Sequence, residues 1–93
     1  MAEHGETVTT RLPEKYSQSL KEISKIEHVD KSTVIRRLLA KAIAEWKQEY
    51  SLEQYKNSKF SLEQAARFAE LNVWDFFDLL KERRVQLNYD VAE

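Results

Sequence analysis

The sequence predicts a mainly α chain with one short N-terminal strand, two helices behind it and a small helical C-terminal segment. Three observations carry this. One Gly and one Pro in 93 residues, with a third of the chain charged, fit helices joined by few tight turns. Residues 7–12 are β-branched and roughly alternating, as a strand is. From Pro13 onward apolar residues recur at three- and four-residue steps. A single strand with an open edge needs a partner, and a second copy of the chain is the simplest one. A unit of this size buries little apolar surface alone, so an intertwined homodimer is the expected state.

Thr7-Val8-Thr9-Thr10-Arg11-Leu12 reads as the strand. Val8, Thr10 and Leu12 share one face, and Thr7, Thr9 and Arg11 share the other. Pro13 ends it, because proline donates no ladder hydrogen bond, and suits the first turn of a helix. That helix runs from about Pro13 to Ile26, with Tyr16, Leu20 and Ile23 as its apolar stripe. Glu27 to Val29 breaks the pattern, and Asp30 is the expected N-cap of a second helix. Val34, Ile35, Leu38, Leu39, Ala42, Ile43 and Trp46 give this second helix a broad apolar face, and the helix can continue past Tyr50 toward Lys56.

The division expected is residues 1–5 as a flexible leader, 6–50 as the dimerising domain and 51–93 as a helical interaction segment. Asn57-Ser58-Lys59 is a polar break. Ser61-Leu62-Glu63-Gln64 fits a capping box ahead of a short helix to about Glu70. Asn72 caps a last helix to about Arg83, and residues 85–89 read as a strand or an extended tail. Residues 61–80 thus have a helix-turn-helix outline, although Asp75 and Asp78 would face phosphates poorly.

Composition excludes several classes of function. Without cysteine there is no disulfide framework and no thiolate metal site, and His4 and His28 are too scattered for a metal centre. No cofactor is expected. There is no glycine-rich phosphate loop and no nucleophile–base pairing, so an enzyme is not expected. No apolar run exceeds three residues, which leaves no membrane span or secretory signal core and makes the cytoplasm the default location. The net charge of −1 offers nucleic acid little attraction; residues 1–50 carry 9 Lys/Arg and 8 Asp/Glu, and residues 51–93 carry 6 and 8. Any DNA binding must therefore depend on where the charges sit.

Val8-Thr9-Thr10-Arg11-Leu12-Pro13, followed by Val29-Asp30-Lys31-Ser32-Thr33-Val34-Ile35-Arg36-Arg37-Leu38, closely resembles the ribbon-helix-helix superfamily of Arc-, MetJ- and CopG-type repressors over about residues 6–50. The resemblance implies a two-stranded ribbon in the major groove of a double-stranded DNA operator, with Thr7, Thr9 and Arg11 contacting bases. It implies that Lys31, Ser32 and Thr33, at the positive start of the second helix, hold a phosphate. Arg36 and Arg37 are more ordinarily solvated or salt-bridged. The dimer core would be Val8, Thr10, Leu12, Leu20, Ile23, Ile35, Leu38 and Leu39.

Ser61-Leu62-Glu63-Gln64-Ala65-Ala66, Trp74-Asp75-Phe76-Phe77-Asp78-Leu79-Leu80 and Val85-Gln86-Leu87-Asn88-Tyr89-Asp90 resemble a second family. It is an uncharacterised prokaryotic family of small helical proteins, commonly described as antitoxin-like. Its pattern tends to carry glycine where this chain has Ser58, Glu70 and Arg84, positions that bear on turn geometry. Eight of the ten aromatic residues fall between Trp46 and Phe77. Most suit a small core, and Trp74, Phe77 and Tyr89 are candidates for a partner surface. Together the resemblances imply an autorepressing antitoxin that binds DNA as a homodimer and neutralises a small toxin. The alternatives are a plain regulator without a toxin and a protein-interaction module that no longer binds DNA.

Overall fold

The computed structural model describes residues 5–87. Four helices follow in order: α1 (Glu14–Glu27), α2 (Lys31–Lys56), α3 (Leu62–Phe68) and α4 (Val73–Glu82). The chain divides into two compact units, one up to Arg37 and the other from Leu38 onward.

Among the described residues there is no strand, and this corrects the expected fold class. Residues 5–13 have no regular secondary structure, and every one of them is exposed. Val8 is 77% exposed and Leu12 46%, so the face expected to enter a dimer core is in solvent together with the Thr7, Thr9 and Arg11 face. The physical reason is that β-branched residues fit a strand without creating one. A strand needs a hydrogen-bonding ladder and neighbouring side chains, and no described part of the chain supplies either.

In the first unit, α1 begins without a side-chain cap; the carbonyl of Pro13 accepts from the amides of Tyr16 and Ser17. The core here is minimal. Leu20 and Val34 are buried, Ile23, Val29 and Ile35 are half-buried, and Tyr16 and Ile26 are exposed. Arg37 Nη2 lies 2.6 Å from Glu27 Oε1 across the helix junction. The Ser24 hydroxyl donates to the Val29 carbonyl over the same turn.

The second unit holds the larger core: Leu52 and Tyr55 from α2, Ala65 and Ala66 from α3, Ala69 of the turn, and Phe76, Leu79 and Leu80 from α4. The alanines let α3 approach closely, and the Phe76 ring, fully buried, meets Tyr55 edge-on with centroids 6.1 Å apart. The capping box is formed reciprocally: Gln64 N donates to Ser61 Oγ at 3.1 Å, and Ser61 N donates to Gln64 Oε1 at 2.9 Å. Asn72 Oδ1 accepts from Asp75 N at 2.7 Å and starts α4. Residues 85–87 are irregular, with Val85 and Leu87 packed against the core.

All four helices stop by one device. His28, Ser58, Glu70 and Arg84 adopt left-handed backbone angles, with φ of 59, 62, 62 and 57°. In each case the next residue's amide reaches back five residues: Val29 to Ser24, Lys59 to Gln54, Leu71 to Ala66 and Val85 to Leu80. This is the Schellman closure, which normally uses glycine at the left-handed position. Three of the four sites are those at which the resembled family tends to have glycine.

Candidate interaction surfaces

Residues 36–46 of α2 are all exposed, and among them are Leu38, Leu39, Ile43 and Trp46. They fall on one side of the helix, with Ala42 between them. Leu38 and Leu39 were expected in a dimer core, and within the described chain they are 40% and 54% exposed. Ile35, also expected there, is half-buried, and Leu20 and Ile23 are at least partly covered within their own unit. A helix carrying a bare apolar stripe is stabilised by burying it against another surface.

Trp46 and Tyr50 continue this stripe into an aromatic cluster. The two rings stack with centroids 5.2 Å apart and planes 9° from parallel. Tyr50 in turn meets Phe68 at 5.3 Å and Phe60 at 6.2 Å, and Lys47 Nζ lies 5.7 Å from the Phe68 ring centre. Sequence reasoning placed Trp46 on an apolar face but did not single it out as a surface residue. The stripe was the only available signal, and it reads alike whether the face meets its own chain or a partner.

Trp74 and Phe77 form a second pair, with centroids 6.3 Å apart. They line a groove of about 370 Å³ with Asp78, Leu80, Lys81, Val85 and Leu87. Trp74 is 73% exposed although it stands in the first turn of a helix whose other face is core. The structure therefore brings two of the three expected partner-surface residues together, while Tyr89 lies outside the described residues.

The polar candidates lie in the first unit. Lys31 and Ser32 are exposed at the start of α2, and Thr33 is half-buried. Thr33 is engaged locally: its hydroxyl donates to Asp30 Oδ1 at 2.6 Å and accepts from Arg36 Nη2 at 3.4 Å. The Thr33 hydroxyl, ahead of backbone amides and the charge of Arg36, holds the Asp30 carboxyl below its ordinary value. Lys31 and Ser32 have no such local side-chain hydrogen bond among the described residues. Arg11 is exposed on the irregular N-terminal segment, and Arg37 is tied to Glu27.

Among the described residues, no group of three or more His, Cys, Asp or Glu side chains could hold a metal ion, and no helix is long and apolar enough to cross a membrane.

The α3–turn–α4 pair rests on the end of α2 with an apolar groove open beside it, which defines a small helical protein with exposed apolar surfaces. Residues 35–93 match the uncharacterised protein family UPF0175, and the chain belongs to that family. The match covers the whole of the second unit, including Trp46, the Trp74 groove and the left-handed turns at Ser58, Glu70 and Arg84. Residues 1–34, with Arg11 and Lys31, fall outside it. No curated protein and no solved structure matches the chain.

Proposed function

We propose that the protein is a homodimeric, DNA-binding antitoxin that represses its own operon and neutralises a small protein toxin. The observation that carries the reading is the quantity of large apolar side chain in solvent. Leu38, Leu39, Ile43 and Trp46 on α2, and Trp74 on α4, are all exposed in a chain whose first unit has almost no core of its own. Surfaces of this kind are contact surfaces. Leu38, Leu39 and Ile43 on α2 are the homodimer contact, and the Trp74–Phe77 groove takes the toxin. Membership of a family commonly described as antitoxin-like supports the second assignment.

DNA binding rests on the first unit and on its resemblance to the ribbon-helix-helix repressors in residue type at the helix start. The reading no longer depends on a strand. Thr7, Thr9 and Arg11 sit on an exposed, irregular segment that can follow a groove as an arm does. Lys31 and Ser32, with the backbone amide of Thr33, meet a phosphate at the positive end of α2.

The test uses the full chain and duplex DNA from upstream of its own gene, followed by fluorescence anisotropy at several salt concentrations. The expected result is salt-dependent binding that prefers this DNA over random duplex and is weakened by Arg11→Ala most strongly on the preferred sequence. Absence of any DNA binding would leave a protein-interaction module, a reading favoured by the net charge of −1. Purification from the native host separates the remaining alternative: a stoichiometric small partner marks an antitoxin, and a homodimer alone marks a plain regulator.

A further inference from the structure

A second groove in the unit from Leu38 onward differs in chemistry from the Trp74 groove. It has a volume of about 520 Å³ and runs between α2 and α4. Ala42, Trp46 and Leu79 give it apolar walls, while Glu45, Glu49 and Glu82 stand along it. Arg83 is its one cation, and Arg83 is already ion-paired to Glu49. Glu45 and Glu82 have no ion-pair partner among the described residues, so the groove carries two uncompensated carboxylates. By contrast, the Trp74 groove holds one Asp and one Lys and is balanced.

We propose that this groove receives an arginine-bearing segment of a protein partner. Charge selects a cation, and the form of the walls selects a guanidinium over an ammonium. Trp46 is held with one face on Tyr50 and is 61% exposed, so the rest of its ring is open to a planar cation. Guanidinium is flat and weakly hydrated, stacks on indole and can hydrogen-bond carboxylates at its edge. The Arg83–Glu49 pair shows a guanidinium already held by one of these carboxylates. The apolar remainder, Ala42 and Leu79, suits the aliphatic stem of arginine or a neighbouring apolar residue. Nucleic acid is repelled by the same carboxylates. The inference concerns a different groove from the one assigned to the toxin and does not depend on DNA binding.

The experiment uses the full chain carrying Trp74→Phe, which leaves Trp46 as the one tryptophan. Its emission is titrated at low salt with a short peptide that has leucines flanking a central arginine. A peptide with neutral citrulline in place of the arginine is titrated alongside, as is one with lysine. The expected result is a saturable change in Trp46 emission, with citrulline at least about tenfold weaker and lysine intermediate. Glu45→Gln combined with Glu82→Gln should weaken the arginine peptide about tenfold and leave the citrulline peptide unchanged. Equal binding of the arginine and citrulline peptides would overturn the proposal. So would full retention of affinity in the double variant, or no saturable signal from the arginine peptide.

Discussion

Lys47 Nζ lies 2.9 Å from Glu70 Oε2, so the residue that turns the chain out of α3 in a left-handed conformation is also tied to α2. The two effects oppose each other. A non-glycine residue in the left-handed region costs roughly 1–2 kcal/mol, of which glycine's greater chain entropy returns about 0.5–1 kcal/mol. The exposed ion pair contributes about 0–1 kcal/mol. Ser58 and Arg84 share the left-handed geometry and have no ion pair among the described residues. Ser58→Gly and Arg84→Gly should therefore each stabilise the protein by about 0.5–1 kcal/mol, and Glu70→Gly by less or not at all. Urea denaturation of the three variants measures the order; a greater gain for Glu70→Gly than for the other two would contradict this account.

Ser51 illustrates a different local conflict. Its side chain is fully buried, and its Oγ has no hydrogen-bond partner among the described residues. A buried hydroxyl without a partner has lost its hydration and gained nothing in return, at a cost of about 1–3 kcal/mol. Alanine removes the oxygen, fits the same space and favours the helix. Ser51→Ala is expected to raise stability by about 1 kcal/mol, seen as a higher midpoint of thermal unfolding at unchanged helical content. A loss of stability would mean that the hydroxyl is satisfied after all.

What could be read in the sequence was local. The capping box at Ser61 and Gln64, the Asn72 cap and the passage of α2 beyond Tyr50 to Lys56 all depend on contacts within a few residues, and they stand where the pattern placed them. The strand at residues 7–12 failed because strand formation depends on a partner that the segment's own residues cannot specify. The apolar faces were legible, but what covers them was not. Leu80 and Trp46 both lie on apolar helix faces, yet one is buried in the core and the other is bare. Glycine at Ser58, Glu70 and Arg84 in the resembled family was the single hint of left-handed backbone there. His28, which has the same geometry, carried no such signal.

The start of α2 should respond to acid through Asp30. Hydrogen bonding from Thr33 lowers its pKa in the folded protein below the ordinary value of 3.8. A carboxyl depressed on folding binds its proton more weakly when folded than when unfolded. Its stabilising contribution is therefore fully present above the unfolded value, and it is lost as pH falls through the lowered one. Wild-type stability should fall more steeply below pH 3.8 than that of Asp30→Asn, which keeps a capping side chain but has no proton to take up. Thermal unfolding of both proteins from neutral pH into the acid range makes the comparison. Parallel pH profiles would show that the Thr33–Asp30 hydrogen bond does not persist in solution.

The bare stripe on α2 gives the most direct test of the assembly. If Leu39 and Ile43 are buried between two copies, a carboxylate at either place must be desolvated on association, at a cost of several kcal/mol per chain. Within one chain both residues are exposed, so the same carboxylate costs the monomer little. Leu39→Glu and Ile43→Glu should therefore shift the protein from dimer to monomer in sedimentation equilibrium. Helix content should change only modestly, and the unit built around Phe76 should stay folded. Dimerisation as tight as in the wild type would place the contact elsewhere. Unfolding of that second unit would show instead that the stripe is covered by the chain itself.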